Sequence, residues 1–366
     1  MNGLIRTLLL SACFGLSIFG ACAQFIQNHY QRPSLTQIMI EHPMNLFNSE
    51  IKEVYKSIPI SNRFNNHDLG VKTIKLATDI FTDQTPAINT FIKKSKVGSR
   101  AVAKWFGWDK TTGKFTIDLI RKRGLYDASA LERDLARHQV LGAATLEDAG
   151  ENLIPRTFLI MHDIAYNGNY NTQREMLNQT GHRVTFSVEV TSYIYSLDWN
   201  VDSLERFYAC YYTPGNKNFI NESNYSYTFR AKVTSKYEET ESKLTQSELM
   251  KQVIARCLDM NIAKLQTAYN PFRIVAPLLF TDPLLADVGL KEGITSNTKF
   301  EVLEPEINAE GIVKYNRVGI IKPRSNKIVD IRFTIYERPD AADEQYTEFE
   351  IVRGTDFDSG LLIREY

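Results

Sequence analysis

His and Asp stand side by side twice in this chain, at His67-Asp68 and at His162-Asp163. Such a pair can ligate a divalent cation, or the carboxylate can hold the imidazole in the tautomer a general base needs. His162-Asp163 falls within Thr157 to Tyr166, a run of strand character. Neighbours on a strand point to opposite faces, so these two side chains cannot easily share one ion. The six histidines, His29, His42, His67, His138, His162 and His182, contain no i,i+2 or i,i+4 pair. They read as polar residues of a core or sheet edge with satisfied hydrogen bonds. Glu147, Asp148 and Glu151 form an acidic knot beside a helix start, where the helix dipole alone favours acids. Paired carboxylates doing acid–base work are the alternative there. Asp356-Phe357-Asp358-Ser359-Gly360 is half of a calcium loop, without the third acidic position or the terminal Glu, and reads as a polar hairpin turn.

Lys93, Lys94, Lys96, Arg100 and Lys104 make one basic run and Arg121-Lys122-Arg123 another, with Trp105, Phe106 and Trp108 between them. Cations interleaved with aromatics can grip phosphate and stack bases. A solvated helix face around a Trp-filled core is the simpler reading; its functional version is contact with an anionic envelope polymer or lipid headgroup. The chain holds 18 Tyr. Tyr193 and Tyr195 take the outward parity of one expected strand, and Tyr208, Tyr211 and Tyr212 crowd another. Exposed tyrosines offer rigid area plus a hydroxyl and so mark a possible binding surface, although cover by the N-terminal region explains them equally well.

There is no Gly-x-Gly-x-x-Gly, no Gly-Lys-Ser/Thr phosphate loop, no Gly-x-Ser-x-Gly, no His-Glu-x-x-His and no Cys-x-x-Cys. No cofactor is implied and catalysis is the less favoured class. Lys+Arg and Asp+Glu both number 43, so no global field draws the chain to nucleic acid or an anionic membrane.

The first 23 residues read as an address. Arg6 charges the start, Leu8 to Gly20 is apolar and small, and Ala21-Cys22-Ala23 precedes Gln24 in small-x-small form. This is the layout of a secretory signal peptide, too short in its apolar run to span a bilayer. Cleavage after Ala23 is the first expectation. Lipidation at Cys22 is the alternative, with Cys13 behind it, and would anchor the protein to a membrane without changing its fold. After cleavage Cys210 and Cys257 remain; two buried thiols are favoured over a bridge.

The elements that must position these residues fall into three blocks after the leader at 1–23. Residues 24–155 read as mainly helical, with amphipathic runs at Ser99 to Phe106 and Phe115 to Arg123 and helix starts at Ser129 and Thr145. Residues 156–292 read as an antiparallel α+β domain. Val184, Phe186, Val188, Val190 and Ile194 alternate with polar residues, as do Tyr225, Tyr227, Phe229, Ala231 and Val233. Phe207 to Thr213 is an expected strand between them. Thr245-Gln246-Ser247-Glu248 opens a long helix whose Leu249, Val253, Ile254, Cys257 and Leu265 would cover the sheet. Residues 293–366 read as a small all-β barrel or sandwich of five strands, Lys299 to Leu303, Arg317 to Ile321, Ile328 to Tyr336, Thr347 to Val352 and Leu361 to Arg364. The fold class is α+β.

Four phrases stand out as a group: Ala103-Lys104-Trp105-Phe106, Arg123-Gly124-Leu125-Tyr126-Asp127-Ala128, Leu146-Glu147-Asp148-Ala149-Gly150-Glu151-Asn152-Leu153-Ile154, and Gly360-Leu361-Leu362-Ile363-Arg364-Glu365. They resemble uncharacterised exported and envelope proteins of Bacteroidota-type bacteria over most of the mature chain. That group carries no assigned activity, so the resemblance implies an address and no catalytic residue. The order of elements, a sheet with its helix and then a small β domain, is similar to envelope proteins that help build surface appendages.

Two functions are compatible with these residues. One is a non-enzymatic scaffold or binding module, periplasmic or at the cell surface. Its partner would be an envelope protein or polymer, and a lipid anchor its only membrane contact. The other is a secreted hydrolase with His162 or Asp163 working beside Glu147, Asp148 and Glu151.

Overall fold

The computed structural model describes residues 32–61, 63–76, 82–127, 147–148, 150–169, 184–241, 244–307, 313–329 and 346–366. The leader with Cys13 and Cys22, the helix expected from Ser129 and the start at Thr145 lie outside the described residues, as does most of the strand expected over Ile328 to Tyr336.

One mixed sheet organises the first part of the chain. Its strands are β1 (Ser34–Glu41), β2 (Asn65–Asn66), β3 (Thr73–Lys75), β4 (Thr157–Tyr166), β5 (Val184–Leu197) and β6 (Tyr227–Glu241). The order is β2-β1-β4-β5-β6, with β3 also on β1. β1 runs parallel to β2, β3 and β4, while β4-β5 and β5-β6 are antiparallel. The sheet is therefore not purely antiparallel, and the region 24–155 is not a helical block: it contributes three strands. β1 escapes the alternation test because Leu35, Ile38, Met39 and Ile40 are buried on both faces and do not keep a period of two.

Helices cover both faces of this sheet. On one lie α2 (Thr85–Lys94), α3 (Val97–Trp105) and α4 (Asp118–Asp127), whose Ile88, Ile92, Ala101, Trp105 and Ile120 pack with Ile38, Leu159, Met161, Tyr193 and Tyr195. On the other lie α1 (Asn48–Ser57) and α7 (Gln246–Ala268), with Ile51, Val54, Leu249, Val253 and Cys257 against Met39, Ile164, Val188 and Val190. The expected capping box of α7 forms: Thr245 Oγ1 accepts from Glu248 N at 3.3 Å, and Glu248 Oε2 accepts from Thr245 N at 2.9 Å.

Phe207 to Thr213 is not a strand. Asn200 caps α5 (Val201–Arg206) through Ser203 N at 2.9 Å, and the chain continues into a wide π-type turn over Phe207–Tyr211. The aromatic residues have strand propensity, but burial of Phe207 in the stack of Phe106, Phe115 and Phe219 decides the local form. A short helix, α6 (Phe219–Glu222), follows.

The remaining strands, β7 (Val275–Thr281), β8 (Leu284–Ala286), β9 (Phe300–Ile307), β10 (Val313–Pro323), β11 (Thr347–Arg353) and β12 (Leu362–Glu365), pair round a closed ring in the order β10-β11-β8-β7-β12-β9. The ring thus draws in Val275 to Ala286, ahead of the joint expected at Gly289 to Ser296. Arg63, ahead of β2, reaches Glu365 of the ring at 2.7 Å, while within the ring Glu301 holds Arg364 and, just ahead of β7, Arg273, both at 2.8 Å.

Gly98 marks a close approach. A Cβ there would sit 2.2 Å from the carbonyl oxygen of Tyr225. Ala normally gains about 1 kcal/mol over Gly inside a helix. Gly98→Ala is expected to do the opposite, lowering stability by about 1–3 kcal/mol as α3 is pushed off the 223–226 segment. A denaturant melt showing stabilisation would contradict this packing.

Candidate functional site

The sequence-singled groups meet different fates. His162 and Asp163 point to opposite faces, as strand geometry requires. His162 lies on the α7 side, fully buried, with Nδ1 2.8 Å from Ser192 Oγ, which also accepts from Asn261 Nδ2 at 2.8 Å. Tyr55 closes over its ring. Burial pushes its pKa down to about 3. Nucleophile and base stand within reach of each other here, but all three residues show no exposed surface, so no substrate has access. Asp163, on the other face, is paired with His42 Nε2 at 2.9 Å. The sequence pattern did not single out His42, Ser192 or Asn261; strand pairing and helix packing bring them in from distant segments.

Glu147 is tied to Arg121 at 2.5 Å, and Glu151 accepts from the hydroxyl of Tyr208. Burial, reinforced by neighbouring carboxylates, raises the pKa of Asp148 and Glu151 above the ordinary carboxylate range. No hydrogen bond joins these acids to His162 or Asp163 among the described residues. The constellation a hydrolase would use is therefore not assembled.

The tyrosines do not form one surface. Tyr193 and Tyr195 are buried beneath the helical layer, where Tyr193 Oη accepts from Gln84 N at 3.2 Å. Tyr208 and Tyr212 are exposed on the turn after α5, while Tyr211 is half-buried against Phe219. Cys210 is exposed on that turn, and Cys257 is buried under α7 against Ser235 O; both are free thiols. Asp356 and Asp358 flank Phe357, whose ring is buried against Gly319 and Gly354. Among the described residues no group of three or more His, Cys, Asp or Glu could hold a metal ion, and no helix is long and apolar enough to cross a membrane.

Asp68 of the second histidine pair and Arg100 and Lys104 of the basic run do converge. An open groove of about 470 Å³ is lined by Asp68, Leu69, Arg100, Ala103, Lys104, Gly107, Trp108 and Ile220. Arg100 and Lys104, one helical turn apart, stand on the outer face of α3, whose Ala101 and Trp105 face the core. Arg100 Nε donates to Ser95 O at 2.9 Å, and Lys104 Nζ donates to the Asp68 carbonyl. Neither cation makes a direct ion pair among the described residues, although the Asp68 carboxylate lies near enough to act on Lys104 through its charge. The Asp68 carboxylate is instead held by Lys72 at 3.0 Å and by Gly70 N at 2.8 Å. Burial draws the Lys104 ammonium below its ordinary range despite Asp68, and Arg123 and Lys72 add to that effect. Trp108 is partly buried against the core, its Nε1 donating to Asn216 O at 2.8 Å, so the indole is fixed in place.

Behind the groove, His67 is fully buried. Nε2 lies 3.1 Å from Ala101 O, which can only accept, so Nε2 carries the proton and Nδ1 accepts from Arg123 Nη1 at 3.0 Å. Burial first, and then the Arg123 charge, hold its pKa well below 6.5. Arg123 also stacks over Trp105 at 4.2 Å. It belongs to a basic run in sequence, yet its charge serves the interior.

Comparison with protein-family models and with curated proteins finds no match.

His67 and His162 are neutral when folded, whereas an unfolded histidine titrates near 6.5. Below that pH the unfolded chain binds more protons, so stability is complete above about 6.5 and declines as pH falls. The expected slope is about 1.4 kcal/mol per pH unit for each histidine. For His162 the decline continues toward about 3. Denaturant melts from pH 7 to pH 5 check this, and His162→Leu should remove its share of the slope.

Proposed function

We propose that this chain is an exported cell-envelope protein, a non-enzymatic binding module that holds an anionic envelope polymer in the groove beside α3. The observation that carries the reading is the pair Arg100 and Lys104. Both are anchored on backbone carbonyls and outside any direct ion pair among the described residues, beside an indole held by its own hydrogen bond. A guanidinium tethered through Nε keeps its two terminal nitrogens free for a bidentate grip, and an ammonium with one proton engaged has two more to give. The address rests on the leader, Arg6 and Leu8 to Ala23, and on the resemblance of the mature chain to exported proteins; cleavage after Ala23 or lipidation at Cys22 decides between a free and an anchored form. The small β-barrel reading of the last segment is supported by the closed pairing of β7 to β12. No observation favours the hydrolase.

The test is co-sedimentation of the purified protein with an isolated envelope fraction, with heparin as a soluble competitor. Binding should fall with salt, and Arg100→Ala with Lys104→Ala should weaken it about tenfold or more, the value of a charged hydrogen bond. Undiminished binding by the double variant overturns the reading. The pH profile offers a separate check. Lys104 loses its charge at lower pH than a free lysine, so affinity for heparin should drop as pH climbs toward 10.5, before surface lysines discharge. Lys104→Arg should move that drop to higher pH.

A further inference from the structure

The groove's lining is more specific than its charge. Polyphosphate would satisfy Arg100 and Lys104 and nothing else. It would leave the indole of Trp108 and the apolar surfaces of Leu69, Ala103 and Ile220 unused. The Asp68 carboxylate is a hydrogen-bond acceptor within the same lining and is already charged, since Lys72 and Gly70 hold its pKa below the ordinary range despite burial. A ligand that suits all of these groups must carry an anion for the two cations, a C–H face for the indole and hydroxyl donors for the carboxylate.

We infer that the groove takes a segment of acidic polysaccharide, with a uronate-type sugar ring on the Trp108 indole, its carboxylate on Arg100 and Lys104, and its hydroxyls toward Asp68. The inference rests on the binding-module reading above and narrows its ligand class. Trp108 is suited to the platform role because two contacts fix its pose. Its Nε1 is engaged by Asn216 O at 2.8 Å, and its ring packs against Phe219 with centroids 6.0 Å apart. The other two tryptophans, Trp105 and Trp199, are buried, so no other indole can serve a surface ligand.

Titration of the purified protein, followed by tryptophan fluorescence and calorimetry, decides the matter with four probes: tetragalacturonate, its methyl ester, a polyphosphate of similar charge, and oligothymidylate. The expected result is saturable binding of tetragalacturonate, at least tenfold weaker binding of the ester, and weaker binding of the other two. Trp108→Ala should cost about tenfold for tetragalacturonate and little for polyphosphate. Trp108→Phe should recover part of the loss, and Asp68→Asn should weaken the sugar alone. Circular dichroism and melting confirm that each variant is folded. Polyphosphate or oligothymidylate bound as tightly as the sugar, or an unaffected Trp108→Ala, overturns the sugar assignment and leaves the anion-binding groove intact. Failure of all anionic probes to respond to Arg100→Ala with Lys104→Ala overturns both.

Discussion

A neutral imidazole in the interior sets the geometry on the helical side of this molecule. His67 gives one proton to the carbonyl of Ala101 in α3 and receives one from Arg123 in α4. A guanidinium can only donate, so the histidine must accept, and a protonated ring would put two like charges in a buried space. The same residue's carbonyl is held by Thr36 of β1 at 2.5 Å, and Arg123 reaches Ser34 of β1 at 2.9 Å. Arg123 then lies on Trp105, whose Nε1 donates to Thr157 at the start of β4 at 2.8 Å. Two sheet strands, two helices and the loop after β2 are thereby fixed through one chain of hydrogen bonds and a stacked cation. With Ser99, Ala101, Val102 and Trp105 all buried, Arg100 and Lys104 form the side of α3 left toward the groove.

How far the sequence revealed this depends on which faces were covered. β5, β6 and α7 were legible because Val184 to Ile194 alternates, Tyr225 to Val233 alternates, and Thr245 with Glu248 forms the expected box. β1 was not, because both of its faces are buried, so its apolar residues Leu35, Ile38, Met39 and Ile40 show no period of two. Tyr193 and Tyr195 occupy the parity expected for solvent, yet helices cover them; parity tells which face a side chain is on and not what lies over that face. Phe207 to Tyr211 failed for the opposite reason. Its residues favour strands, while its aromatic neighbours from three other segments favour a turn.

The groove was half legible. The basic run and the tryptophans were visible as types, but spacing did not say which indole is exposed. The helix ends at Trp105, and Gly107 takes φ +49, so Trp108 leaves the helical line that Trp105 follows into the core. Asp68, Leu69 and Ile220 come from segments far from α3, and no local pattern could have joined them to it. The acidic knot and the histidine of β4 were equally visible, and packing sent them to separate places.

Charge places a last constraint on how such a groove can work. Lys+Arg and Asp+Glu balance at 43 each, so the molecule as a whole exerts no long-range pull on a polyanion. Any attraction must come from a few cations within a Debye length, about 8 Å at physiological salt. Charges that surface carboxylates already neutralise add little at that range, which sets aside Lys232 with Asp83, Lys236 with Glu189 and Lys322 with Glu350. Arg100 and Lys104 are anchored by carbonyls, which orient the cations, and only Lys104 has a carboxylate, Asp68, acting on it through space. In a neutral protein, that difference between an oriented charge and a cancelled one is what the proposed binding would draw on.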